Sequence, residues 1–175
     1  MTIALASDVQ TVTDIVVEQL LATGFLVLII AIHGSCLMWT SQRFAARFAV
    51  MNASTPWWRV MWLMSMTITL LVSFHLFETF LWTCAIYGVG ALNGFRTAYL
   101  YTLEGYTTLG ETNTVLPEKF KAIGPMIAIS GLFTFGWTGS SLVYVMSQIL
   151  KLQAIRTKRA ERAASLEKVE GPFGN

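Results

Sequence analysis

Charge is scarce in this chain. Asp, Glu, Lys and Arg make up 13% of its 175 residues, against 54% apolar residues. A water-soluble domain of this size carries a polar face on most of its helices. The long apolar stretches here have none, which excludes the soluble globular class and points to an integral membrane protein. No Lys or Arg precedes Arg43, whereas Asp8, Asp14 and Glu18 do. The start of the chain thus lacks the basic region of a secretory signal, and its first apolar block runs too long for one, so that block is expected to remain as an anchor. Histidine and cysteine are nearly missing. Cys36 and Cys84 have no zinc-site spacing. They fall near opposite ends of the membrane in the topology below, so no disulfide within the chain is expected, because bridged Cα atoms lie within about 7 Å. No Ser/His/Asp set is apparent, and the string GWTGSS from Gly136 to Ser141 lies inside an apolar block, not in a phosphate loop. An enzyme, a bound cofactor and a nucleic-acid partner are therefore not expected. No internal repeat is present.

What the sequence does contain is apolar blocks of membrane-crossing length, for which about 20 residues suffice. The first is 15–40, with Glu18 at one edge and Trp39 at the other. The second is 57–87, started by Pro56, with Trp57, Trp58 and Trp62 at one interface and Trp82 and Tyr87 at the other. The third is 122–150, whose Gly131, Gly136, Gly139, Ser140 and Ser141 form a small-residue face suited to close helix contact or to a hinge. Between the second and third lies 94–107, amphipathic and about 20 Å long as a helix, too short to span. It fits a re-entrant helix, tolerated only where it is buried in protein or lines water. Residues 1–14 precede the first block. Residues 151–175 form a basic tail, helical to about 168.

The basic residues set the orientation. Arg43, Arg47 and Arg59 flank the first loop, and Lys151, Arg156, Lys158, Arg159 and Arg162 follow the third block. The N-terminus is then outside, and the first loop and the tail are cytoplasmic. The tail reads as a solvated helix, with anionic lipid headgroups as a second reading. Counted from the outer helix ends, His33 lies roughly 20 Å deep and His75 roughly 10–15 Å. That offset argues against a haem held between them and leaves His33 as a packing residue or a hydrogen-bond donor to a neighbouring helix.

The order of spanning helix, short helix, extended stretch and spanning helix, with YTLEGYTTLG at 101–110 and GLFTFGWTGSSLVYVM at 131–146, resembles the pore module of the potassium-channel pore-loop superfamily. HLFETFLWTCAIYGVGAL at 75–92 fits the same picture. The whole chain is similar to small bacterial ion-channel proteins that place one helix before a two-helix pore. The resemblance implies an all-α membrane protein with three transmembrane helices, a re-entrant pore helix at 94–107, a filter-like loop at 108–114 and a homotetrameric assembly in a bacterial inner membrane. It further implies that the third helix lines the axis, the second packs outside it and the first is peripheral.

The superfamily filter reads Thr-Thr-Val/Leu-Gly-Tyr-Gly-Asp, and Thr107, Thr108, Leu109 and Gly110 match it. Glu111, Thr112 and Asn113 then replace Tyr, Gly and Asp. Backbone carbonyls and a threonine hydroxyl of such loops stand in for the water around K⁺. A β-branched Thr112 resists the left-handed geometry that glycine supplies, so the outer half of the loop should be wider. Glu111 either faces the axis as an acidic ring that attracts cations, divalents most, or hydrogen-bonds the loop. The permeant ions would be K⁺ or Na⁺ without fine selection, with Ca²⁺ a candidate at Glu111. Glu104 reads as a strut for the loop, with Asn113 as its counterpart. His75 and Glu78 share a helix face and read as braces behind the pore helix, with a pH-sensing pair as the sharper alternative. A different class stays open: a channel-like scaffold or accessory subunit that does not conduct, with a membrane partner docked on the first helix or the tail.

Overall fold

A computed structural model of the chain describes residues 2–110 and 113–170. Among them there is no strand. The elements are α1 (Thr2–Ala49), α2 (Trp57–Gly88), α3 (Phe95–Tyr106), a single 3-10 turn (Glu118–Phe120) and α4 (Ile123–Glu170). Three helical stretches, Ile15–Ala49, Trp57–Gly88 and Glu118–Leu166, are long and apolar enough to cross a membrane.

Helix ends follow the breakers rather than the end of the apolar run. α1 continues past Trp39 to Ala49 because no glycine or proline interrupts it before Pro56. α4 likewise runs from the third apolar block into the basic tail as one helix, because neither breaker occurs between Gly139 and Gly171. The loop after α1 is pinned by Asn52, whose Oδ1 accepts the Ser54 N–H at 2.9 Å, and Pro56 then opens α2 with φ fixed at −55°. Gly90 and Gly94, at φ +69° and +93°, turn the chain from α2 into α3.

The core has two apolar clusters. Leu26, Ile29, Trp82, Ile86, Ala98, Tyr106 and Ile127 pack towards the α2–α3 loop. Phe44, Val60, Leu63, Val145, Ile149 and Leu152 pack towards the α1–α2 loop. Along each helix the polar residues His33, His75, Glu78, Thr134 and Thr138, all buried, fall between these two clusters. α1 packs on both α2 and α4, and α3 sits between α2 and α4.

The two ends of the bundle are tied by polar contacts from the long helices. Glu18 of α1 accepts the Ala122 N–H at 3.2 Å and so holds the entry to α4. At the other end Arg156 of α4 donates to the Thr55 carbonyl and stacks 5.2 Å from the Trp57 ring, while Arg159 reaches Ser54 Oγ at 3.3 Å. The first turns of the basic tail are thus attached to the α1–α2 loop.

Candidate functional site

Tyr106 is the last residue of α3, and its hydroxyl meets three partners. It lies 2.5 Å from Glu78 Oε2, 2.6 Å from Thr134 Oγ1 and 3.0 Å from His75 Nδ1. Glu78 is ten residues inside the end of α2 and Thr134 eleven inside the start of α4. The end of α3 therefore lies well inside the length of both neighbours, at least ten residues from their nearer ends. Gly131 makes this approach possible: a Cβ there would run into the Tyr106 carbonyl. Close backbone contact of this kind is the usual reason for a small residue between apolar helices.

The polar contacts continue into a closed ring. Glu78 Oε1 lies 2.6 Å from His33 Nδ1. His33 Nε2 and His75 Nε2 each lie 3.1 Å from Thr138 Oγ1. His75 Nδ1 then returns to Tyr106. His33 and Glu78 are each 1% exposed, so the ring is sealed from solvent within the chain. It draws one member from α1, two from α2, one from α3 and one from α4.

The offset in depth expected for His33 and His75 is not found: their ring centroids are 5.2 Å apart. The helices are joined by the short loop 50–56, so register is set from that end. His33 is sixteen residues before the end of α1 and His75 eighteen after the start of α2, about 24 and about 27 Å at 1.5 Å per residue. His33, His75 and Glu78 offer ligand atoms within 4.8 Å of one another. Each ring nitrogen and carboxylate oxygen of the trio is already spent on a side-chain hydrogen bond.

Thr107 to Gly110 follow Tyr106 directly and are exposed, Leu109 at 61%. The Thr108 N–H bonds the Gly105 carbonyl at 3.0 Å and the Leu109 N–H bonds the Glu104 carbonyl at 2.9 Å. With Thr108 at φ +58°, this is a Schellman cap, and it puts a β-branched residue where glycine is usual. The left-handed conformation costs such a residue about 1–2 kcal/mol. Thr108→Gly is accordingly expected to raise the unfolding midpoint in detergent micelles, by up to about 1 kcal/mol of stability. A lowered midpoint would show that the threonine side chain makes contacts worth more than the strain.

The other residues singled out in the sequence are placed as follows. Glu111 and Thr112 lie outside the described residues. Asn113 is exposed, and Glu104 Oε2 is buried without a hydrogen-bond partner. Gly136 and Gly139 have no atom within 4 Å of a Cβ position, unlike Gly131. Sequence reasoning did not single out Tyr106, Thr134 and Thr138. The available signal was the i, i+4 pair of threonines in an apolar helix at the level of His75. Comparison with protein-family models, curated proteins and solved structures finds no match to this chain.

Proposed function

We propose that the chain is one protomer of a homotetrameric cation channel of the potassium-channel pore-loop kind, with weak selection among monovalent cations. The observation that carries this reading is the position of Thr107 to Gly110, exposed at the end of α3, which stops ten or more residues inside the ends of α2 and α4, helices of membrane-crossing length. Polar backbone at such depth belongs against protein or water, not lipid. Copies of the chain around an axis would supply both, since one chain offers a quarter of such a pore. α3 is then the re-entrant helix, and the buried ring holds its inner end. Gly131 serves packing in this arrangement, and a hinge role falls to Gly136 and Gly139. Glu111, next in sequence, supplies an acidic ring at the mouth.

One observation favours the non-conducting scaffold instead. Thr108 and Leu109 turn back onto α3 as a helix cap, whereas carbonyls that replace a hydration shell must face the axis. Ion flux into liposomes separates the two. A conducting tetramer is expected to pass K⁺ and Na⁺ at similar rates, and Glu111→Gln to alter the rates and weaken block by Ca²⁺. No flux of any ion from a folded tetramer, even after Glu111→Tyr, Thr112→Gly and Asn113→Asp together, would leave the scaffold.

A further inference from the structure

Counting hydrogens around the buried ring leads to a site the pore reading does not need. The ring has five contacts: His33 to Glu78, Glu78 to Tyr106, Tyr106 to His75, His75 to Thr138 and Thr138 to His33. Each contact is a hydrogen bond only if one hydrogen lies in it. Neutral histidine carries one ring N–H, and tyrosine and threonine one O–H each, while a carboxylate carries none. His33, His75, Tyr106 and Thr138 therefore bring four hydrogens to five contacts. The branch from Tyr106 to Thr134 adds no hydrogen to the ring, because the one hydrogen of the Thr134 hydroxyl is also within reach of the Ser130 and Gly131 carbonyls at 3.0 and 3.2 Å.

We propose that this ring is a proton-binding site, which closes α1, α2, α3 and α4 on one another only when it holds a fifth, titratable hydrogen. Placed between His33 Nδ1 and Glu78 Oε1, 2.6 Å apart, that hydrogen completes the ring. His33 Nε2–H donates to Thr138, Thr138 to His75 Nε2, His75 Nδ1–H to Tyr106, and Tyr106 to Glu78. The opposite sense also closes, with Glu78 as the acid donating to Tyr106. In both senses the ring is neutral overall. Without the fifth hydrogen it carries one negative charge in the apolar interior and sets two acceptors against each other, and both changes are costly.

The titratable groups facing the ring are few. α1 contributes His33 and, three residues on, Cys36. α2 contributes His75 and Glu78, and α3 contributes Tyr106. α4 faces it with the hydroxyls of Thr134 and Thr138 alone. Among the described residues no Lys or Arg pairs with Glu78, whose oxygens meet His33 and Tyr106, so the added proton is what neutralises it. The ring's contribution to stability is therefore present below the pH at which the proton leaves and is lost as pH rises through it. The inference concerns the ring alone and stands or falls whether or not the protein conducts.

The test uses the full chain in detergent micelles. Nitrogen-15 spectra of the two histidines, with the infrared carboxyl band of Glu78, count the hydrogens directly. At neutral pH the expected result is one imidazolium or one protonated Glu78. Two neutral histidines beside an ionised Glu78 would overturn the proposal. Glu78→Gln provides the second arm, because its amide brings a permanent hydrogen to one of the two contacts and an acceptor oxygen to the other. This variant is expected to unfold at a midpoint that does not share the wild type's decline on going from neutral to alkaline pH. Parallel declines in the two proteins would overturn the linkage.

Discussion

Gly131→Ala is expected to displace α4 from α3 and to lower the stability of the protein by several kcal/mol. The added Cβ would overlap the carbonyl oxygen and carbon of Tyr106. These are backbone atoms at the end of a helix, so no side-chain rotation relieves the clash. Overpacking a well-filled core costs about 1–3 kcal/mol, and more where the neighbour cannot yield. A second cost follows from the helix repeat. Thr134 and Thr138 sit about one and two turns beyond Gly131, and any outward shift of α4 lengthens their contacts to Tyr106, His33 and His75. Gly136→Ala is the control. No atom lies within 4 Å of its Cβ position, and alanine is favoured over glycine in a helix by about 1 kcal/mol. Within the protomer it should therefore be neutral or stabilising. Unfolding midpoints in micelles check the pair, and equal losses from both variants would refute the close approach at Gly131.

The apolar pattern carried the coarse fold. Blocks at 15–40, 57–87 and 122–150 correspond to α1, α2 and α4, and the short element at 94–107 to α3, Phe95–Tyr106. The boundaries differ where hydropathy and helix propensity part company. Apolar residues report where lipid is, whereas a helix can run on through polar sequence that holds no glycine or proline, as α1 does from Trp39 to Ala49 and α4 from Lys151 to Glu170, in directions hydropathy does not register. Glu18 shows the same limit on the polar side. It reads from sequence as an interfacial charge, but its partner is the Ala122 N–H, more than a hundred residues away.

The polar ring was legible only in part, and for a definable reason. His75 and Glu78 announce themselves because a buried ionisable pair in a membrane helix needs an explanation. His33 reads from sequence as a packing residue or a hydrogen-bond donor to a neighbouring helix, and what separates it from His75 there is depth measured from the outer helix ends, which drift as helix lengths vary. Measured from the tight loop at 50–56, the two histidines fall within about 3 Å of the same level. Thr134 and Thr138 were hidden for another reason. Threonine in an apolar helix commonly bonds its own i−4 carbonyl, as Thr40, Thr67, Thr79, Thr83 and Thr102 do here. The i, i+4 spacing of Thr134 and Thr138 recurs in Thr79 and Thr83, so by itself it does not single out the threonine at 138, which faces two imidazoles.

Tyr106→Phe should give a large loss of stability, and its pH dependence is more telling than its size. The substitution keeps the ring volume and removes one oxygen, which touches Glu78, His75 and Thr134. A hydrogen bond between membrane helices averages about 0.6 kcal/mol, but leaving a buried charged or polar group unpaired costs about 1–3 kcal/mol or more. With Glu78 and His75 both deprived, a loss on the order of 3 kcal/mol is expected at neutral pH. Thr134→Val, which removes a single contact from the branch, should cost less than about 1 kcal/mol. The hydrogen count then makes a sharper demand. Without the Tyr106 hydroxyl the ring opens to a chain of three contacts: His75 to Thr138, Thr138 to His33 and His33 to Glu78. His75, Thr138 and His33 bring three hydrogens to these contacts, so the additional proton is no longer needed to fill them and serves only to neutralise Glu78. The variant should accordingly share only part of the alkaline loss that weakens the wild type, and the gap between the two unfolding midpoints should narrow as pH rises. A gap that stays constant from neutral to alkaline pH would mean that Tyr106 contributes ordinary hydrogen bonds and that no shared proton holds the four helices together.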